Sequence, residues 1–100
     1  MKKKTETPLL LAHFWRLSPL PALEKIAEVF VHGAEKHEPY GWKGVENPIE
    51  YYTKKAEGHW KAWKNGKLFE DESGLMSLAH VGANIAILIW HEIQRNRKTD

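Results

Sequence analysis

His80 and Asn84 lie one helical turn apart in residues 75–89, a stretch whose only other polar side chain is Ser77. An imidazole and a carboxamide at that spacing leave the same side of a helix and could hold one ligand or one metal ion. At about 100° per residue, Ser73, Ser77, His80, Asn84 and His91 fall within about 60° of one another, a narrow polar seam along an apolar helix. Two readings stay open. The seam is either the solvent-facing stripe of a bundle helix or a buried polar site, and seams this narrow rarely suffice to solvate an outer face.

Carboxylates form two further groups. Glu70, Asp71 and Glu72 are consecutive and stand just before an expected helix start. Negative charge there stabilises a helix dipole by roughly a few tenths of a kcal/mol per residue, which alone would account for all three. The same side chains are hard oxygen ligands of the kind Mg²⁺ takes, a few carboxylates completed by substrate phosphates. Glu24, Glu28 and Glu35 lie within about 40° of one another if their helix continues past Gly33, beside its apolar face. That is a cation site or an ordinary charged surface shared with Lys25 and Lys36. His59 borders the apolar face of another helix, as a packed imidazole or as a ligand. Tyr51, Tyr52, Trp60 and Trp63 read as core aromatics, one ring of which could also stack on a base. No Walker loop, G-x-G-x-x-G, H-E-x-x-H or Cys/His zinc spacing occurs.

Helices must supply these faces, since nothing reads as a strand pair. The first opens at Ser18, an N-cap residue type, with Pro19 and Pro21 in the first turn, where a missing N–H costs little. Leu20, Leu23, Ile26, Ala27, Phe30 and Val31 recur there as one apolar stripe. This helix ends at Gly33 or continues through Lys36. Pro39, Gly41 and Gly44 mark residues 38–44 as a loop. The second helix starts at Asn47, with Pro48 in its first position and Glu50 three residues after the cap, a capping-box pattern with Asn for Ser or Thr. Ile49, Tyr52, Ala56, Trp60 and Trp63 share one face of it, and Asn65 with Gly66 supplies the C-cap. The third has Ser73 as its expected N-cap, runs to Gln94 and is apolar around most of its circumference, as the buried centre of a bundle would be. Residues 9–17 read as a short fourth helix. The expected fold is all-α: one domain of three long helices plus a short N-terminal one over residues 9–94, between a basic tail (1–8) and a charged tail (95–100).

One hundred residues bury only a modest core, and so apolar a third helix has too few neighbours in a chain this short, which predicts completion of the bundle by a homodimer. Fifteen Lys and Arg against thirteen Asp and Glu give a net charge of +2, with the basic excess at the two ends, in Lys2, Lys3 and Lys4 and in Arg95, Arg97 and Lys98. Such ends read as solvated tails rather than a nucleic-acid groove. The absence of cysteine excludes disulfide and thiolate chemistry. The longest apolar run, residues 85–90, is too short to span a bilayer, and His13 and Arg16 interrupt residues 9–12 before a signal-peptide core could form. A cytoplasmic protein is the expectation.

Together these stretches resemble a family of small, mostly phage-encoded proteins, the dATP/dGTP diphosphohydrolase (N-terminal domain) family, related to MazG-like all-α pyrophosphohydrolases. The resemblance covers about residues 16–92. It runs through Leu17-Ser18-Pro19, Ala22-Leu23, Ala27-Glu28-Val29, Gly33-Ala34-Glu35-Lys36 and Trp42, then Tyr52, Ala56, His59, Ala62 and Gly66. Its most specific part is Glu72-Ser73-Gly74-Leu75 followed by Leu78-Ala79-His80 and Asn84. The chain departs from the family's pattern at His37, Gly41, Gly58, Lys67 and Ser77.

What the resemblance implies is a paired helical bundle that holds Mg²⁺ or Mn²⁺ on a nucleoside triphosphate and cleaves dATP or dGTP to monophosphate and pyrophosphate, trimming the nucleotide pool of a phage-infected host cell. Under that reading Glu28, Glu35, Glu70 and Glu72 are the metal ligands, and His80 with Glu72 is catalytic. Lys36, Trp42, His59 and Asn84 contact the nucleotide. The alternative is a non-catalytic helical module on the same scaffold, its polar seam buried for packing or used to hold a partner.

Overall fold

The computed structural model describes residues 13, 14 and 16–99, without the side chains of residues 98 and 99. Three long helices carry the fold: α1 (Leu20–Lys36), α2 (Pro48–Lys64) and α3 (Ser77–Thr99), with a 3₁₀ turn over Gly41–Gly44 between the first two. No strand occurs among the described residues; the sole pairing is an isolated bridge between Phe69 and Met76. His13, Phe14, Arg16 and Leu17 are helical, as expected of a short N-terminal helix, whereas residues 1–12 and 15, with the whole of the expected basic tail and the start of that helix, lie outside the described residues.

The apolar stripe of α1 runs on through Lys36, past Gly33, and the His37 N–H closes it on the Gly33 carbonyl. Its start differs from expectation: the cap position is Pro19, and no side chain caps the helix. Asn47 and Pro48 start α2 where expected, but Asn47 adopts a left-handed conformation (φ 49°) and its side chain makes no capping bond. The capping box therefore does not form: an N-cap residue needs extended backbone for its side chain to reach the first free N–H groups, and Asn47 is left-handed. The far end of α2 behaves as read. Gly66 takes φ 98°, its N–H meets the Trp63 carbonyl and the Lys67 N–H meets the Ala62 carbonyl, a Schellman closure that needs a residue tolerant of positive φ.

Helix α3 begins four residues later than Ser73. Gly74 sits at φ 74°, and the Glu70 and Leu75 backbones bond to each other, which turns residues 70–76 into a closed loop instead of a helical turn. At the other end α3 continues to Thr99 rather than stopping near Gln94, so most of the expected charged tail is helical.

Helices α2 and α3 pack antiparallel, and ring contacts fix their register. Tyr52 stacks on His91 (6.1 Å between centroids) and, seven residues further along α2, His59 stacks on His80 (4.6 Å) eleven residues earlier on α3. Between these contacts lie buried Ala56, Ala83 and Ile87, with buried Ala79 just beyond His80, and small side chains let the two backbones come close. Trp42, on the 3₁₀ turn, wedges against Phe30, Trp90 and His91, and its carbonyl accepts the His91 Nε2–H at 2.9 Å. Helix α1 crosses α3 at Gly82, where a Cβ would come within 2.6 Å of the Ile26 Cδ1.

These contacts yield two stability predictions. Ala83→Leu forces methylenes between close helices and should cost about 1–3 kcal/mol in urea unfolding. Gly58 lies inside α2 with open space around its Cα. Gly58→Ala should therefore add up to about 1 kcal/mol, read as a higher melting temperature.

Candidate functional site

The polar seam faces α2, not solvent. Ser77, Asn84 and His91 are buried, and Ser73 and His80 half-buried. His80 sits at its centre: Nε2 lies 2.8 Å from the Ser73 hydroxyl, which also accepts the Leu75 N–H, and the His59 ring covers one face. Burial, reinforced by the neighbouring His59, holds the His80 imidazole below its usual pKa. A neutral Nε2 then accepts the Ser73 O–H. Asn84 donates to the His80 carbonyl at 2.7 Å, so one of its amide hydrogens is committed to its own helix.

The acidic trio divides among three partners. Glu70 Oε2 lies 2.8 Å from His59 Nδ1, Asp71 pairs with Lys67 at 2.8 Å, and Glu72 forms an ion pair with Lys36 across from α1. Consecutive carboxylates of loop 70–76 thus reach α2, the residue after its C-cap glycine and α1 rather than one point. Burial pushes the Glu70 carboxyl up, but His59, the buried Ser77 hydroxyl and the charge of His80 outweigh it, and the net shift is downward. Ser77 Oγ stands beside that carboxylate, outside hydrogen-bond geometry and with no partner among the described residues. Glu72 is held low by Lys36 first, with His32 and Lys55 adding to it.

His32 and Lys55 are the members of this cluster that sequence reasoning missed. Both are close enough for their charge to reach Glu72 and His80. Their signal was helical spacing: His32 is one turn from both Glu28 and Lys36, and Lys55 one turn before His59. His32 also lines an open groove of about 550 Å³ with Glu24, Glu28, Glu35, Ala27, Val31 and Leu75. The carboxylate stripe of α1 is therefore one wall of a groove, and His32 joins it to the cluster of Lys36, Lys55, His59 and His80. Among the described residues no three His, Asp or Glu side chains stand close enough together to cage a metal ion. Trp42, expected at the nucleotide, is packed among Phe30, Trp90 and His91.

The two pKa shifts predict stepwise acid destabilisation. An unfolded His80 takes up a proton near its ordinary pKa while the folded one resists, so the unfolded state binds more protons and stability falls as pH drops below about 6.5. Glu70 contributes stability above its ordinary carboxylate pKa, lost as pH falls through its lower folded value. In melting curves between pH 8 and pH 3, His80→Gln should flatten the first step and Glu70→Gln the second. Unchanged profiles would refute the assignments.

No helix among the described residues is long and apolar enough to cross a membrane. No curated protein and no solved structure matches the chain. Its family does emerge: residues 2–100 match the model described as dATP/dGTP diphosphohydrolase, N-terminal, and the chain belongs to that family.

Proposed function

We propose that this chain hydrolyses purine deoxynucleoside triphosphates, dATP or dGTP, to monophosphate and pyrophosphate with the help of Mg²⁺ or Mn²⁺. The observation that carries this reading is the junction at His32, where the acidic groove of α1 meets Lys36 of α1 and Lys55 of α2 beside the stacked His59 and His80 rings. A triphosphate with its cation requires both: carboxylates on the metal side and positive groups on the phosphate side.

The donor set suits Mg²⁺ in kind. Mg²⁺ takes one or two protein carboxylates and draws its remaining ligands from phosphate and water, and Glu24 and Glu28 stand one turn apart on the groove wall with Glu35 beyond them. A divalent ion bound there would neutralise phosphate charge and make its water more acidic. Lys36 and Lys55 would hold phosphate oxygens, Lys36 exchanging Glu72 for substrate. Neutral His80 and Asn84 would orient the ligand or the attacking water. Water adds to the α-phosphorus, the bond to the bridging oxygen breaks, and its electron pair leaves with pyrophosphate.

One observation favours the non-catalytic module instead. Glu70, Glu72, His80 and Asn84 each already have an internal partner, as structural residues would. A pyrophosphate-release assay with Mg²⁺ or Mn²⁺ separates the readings. Wild type should turn over dATP or dGTP, and His80→Ala and Lys36→Gln should lower the rate by orders of magnitude while the folded helical spectrum persists. Absence of wild-type turnover on all common nucleotides would leave the module. The metal part has its own readout: millimolar Mg²⁺ or Mn²⁺ should raise the wild-type melting temperature by relieving repulsion along the groove, and Glu28→Gln should reduce that rise.

A further inference from the structure

Lys55 holds its ammonium 5.3 Å from the centroid of the Tyr51 ring, one turn earlier on α2. Its charge also reaches Glu72 and His80. Lys55 therefore stands between the polar cluster and an aromatic face. The Tyr51 ring is 46% exposed, and a T-shaped contact with buried Tyr52, at 4.9 Å between centroids, holds it in place. At about 100° per residue, Tyr51, Lys55 and His59 fall within about 80° of one another, so the ring, the ammonium and the stacked imidazoles follow one line along α2. Gly58, one turn beyond Lys55, leaves open space on the outer side of that line. Other rings lack this connection. Trp60 lies about 180° round α2 from Tyr51 and packs on Trp63, and Trp42 is enclosed by Phe30, Trp90 and His91.

We infer that Tyr51 is the platform on which the base of the nucleotide stacks, and that Lys55 leaves the ring for the α-phosphate as the base arrives. The inference rests on reading the chain as a binder of deoxynucleoside triphosphates. Its residues then follow the order of such a molecule: carboxylates of α1 at the cation, Lys36 at the outer phosphates, Lys55 at the α-phosphate and Tyr51 at the base. Tyr51 and Lys55 are one turn apart, about 6 Å along the axis, a gap that one deoxyribose bridges between base and phosphate. Lys55 suits both positions because its stem is flexible and its ammonium is drawn to a ring face or to an anion. A phosphate is the stronger partner, and the exchange frees the ring for a base. Stacking uses the π-face that every base has and is indifferent to its donors and acceptors, so adenine and guanine are held alike. Thymine and cytosine, with one ring instead of two, cover less of the tyrosine and are held less well.

Equilibrium binding of two probes to the full chain in Mg²⁺ tests this. One is the α,β-methylene analogue of dATP, whose carbon bridge resists hydrolysis; the other is inorganic triphosphate, which has no base. Tyr51→Ala introduces a better helix former at a half-exposed position. It should weaken the dATP analogue by about five-fold or more and leave inorganic triphosphate within about two-fold. Tyr51→Leu, which keeps bulk against Tyr52 but has no ring, should do the same, and Tyr51→Phe should restore the affinity. Lys55→Gln should weaken both probes. The corresponding thymidine analogue should bind wild type less tightly than the dATP analogue and lose less on Tyr51→Ala. Nucleotide binding that Tyr51→Ala and Tyr51→Leu leave unchanged, or an equal loss for both probes, would overturn the platform and leave the phosphate site standing. Inorganic triphosphate bound equally well by Lys55→Gln would overturn the exchange. Binding of neither probe to wild type would overturn the nucleotide reading and the platform with it.

Discussion

Closing α2 onto α3 takes a row of polar side chains out of water, and its two histidines, Ser73 and Asn84, though not the Ser77 hydroxyl, find partners inside the protein. An unpaired polar group in such a place costs about 1–3 kcal/mol, comparable to a good part of the stability of a domain this small. The layout follows from meeting that demand. His91 gives its Nε2–H to the Trp42 carbonyl, which pins the 3₁₀ turn and draws residues 41–44 against both helices. His80 takes the Ser73 hydroxyl, which fixes loop 70–76 at the head of α3. The two imidazoles so anchored receive Tyr52 and His59 on their faces. Polar satisfaction, as much as apolar burial, sets the register of the pair.

The same economy shapes the candidate site. Three adjacent carboxylates would repel one another if they converged. The loop instead sends Glu70 to His59, Asp71 to Lys67 and Glu72 to Lys36, so each charge is answered locally and the loop is tied to α2 and α1. The exposed pairs add little to stability because solvent screens them. Their importance is geometric, since they hold Lys36 and the loop on the same side as His32, Lys55 and His80. A polyanionic ligand could replace Glu72 as the partner of Lys36 without exposing a buried charge.

Small side chains at the α2–α3 waist permit close approach at the expense of core volume. Ala56, Ala79 and Ala83 contribute little burial, and the large residues that would compensate, Ile85, Ile89 and Ile93, lie on the side of α3 that α1 leaves uncovered.

The helical character, the three long elements and the start and end of α2 were legible in the sequence, because apolar periodicity, Pro48 and the Asn65–Gly66 pair act within a few residues of themselves. The residues of the polar cluster were legible too, as a seam and two acidic groups. Their grouping was not. Whether the seam met solvent or α2, which partner each member of Glu70, Asp71 and Glu72 would find, and that His32 and Lys55 belong with them, all depend on side chains brought together from separate helices. The start of α3 misled for a related reason: Ser73 has the local chemistry of an N-cap, but the Gly74 turn and the backbone bonds that Glu70 makes with Gly74 and Leu75 close a loop there first. Local signals determine which segments become helices. Only the packing of α1 and α2 on α3 determines which faces are buried, which charges meet, and which isoleucines are left for something else to cover.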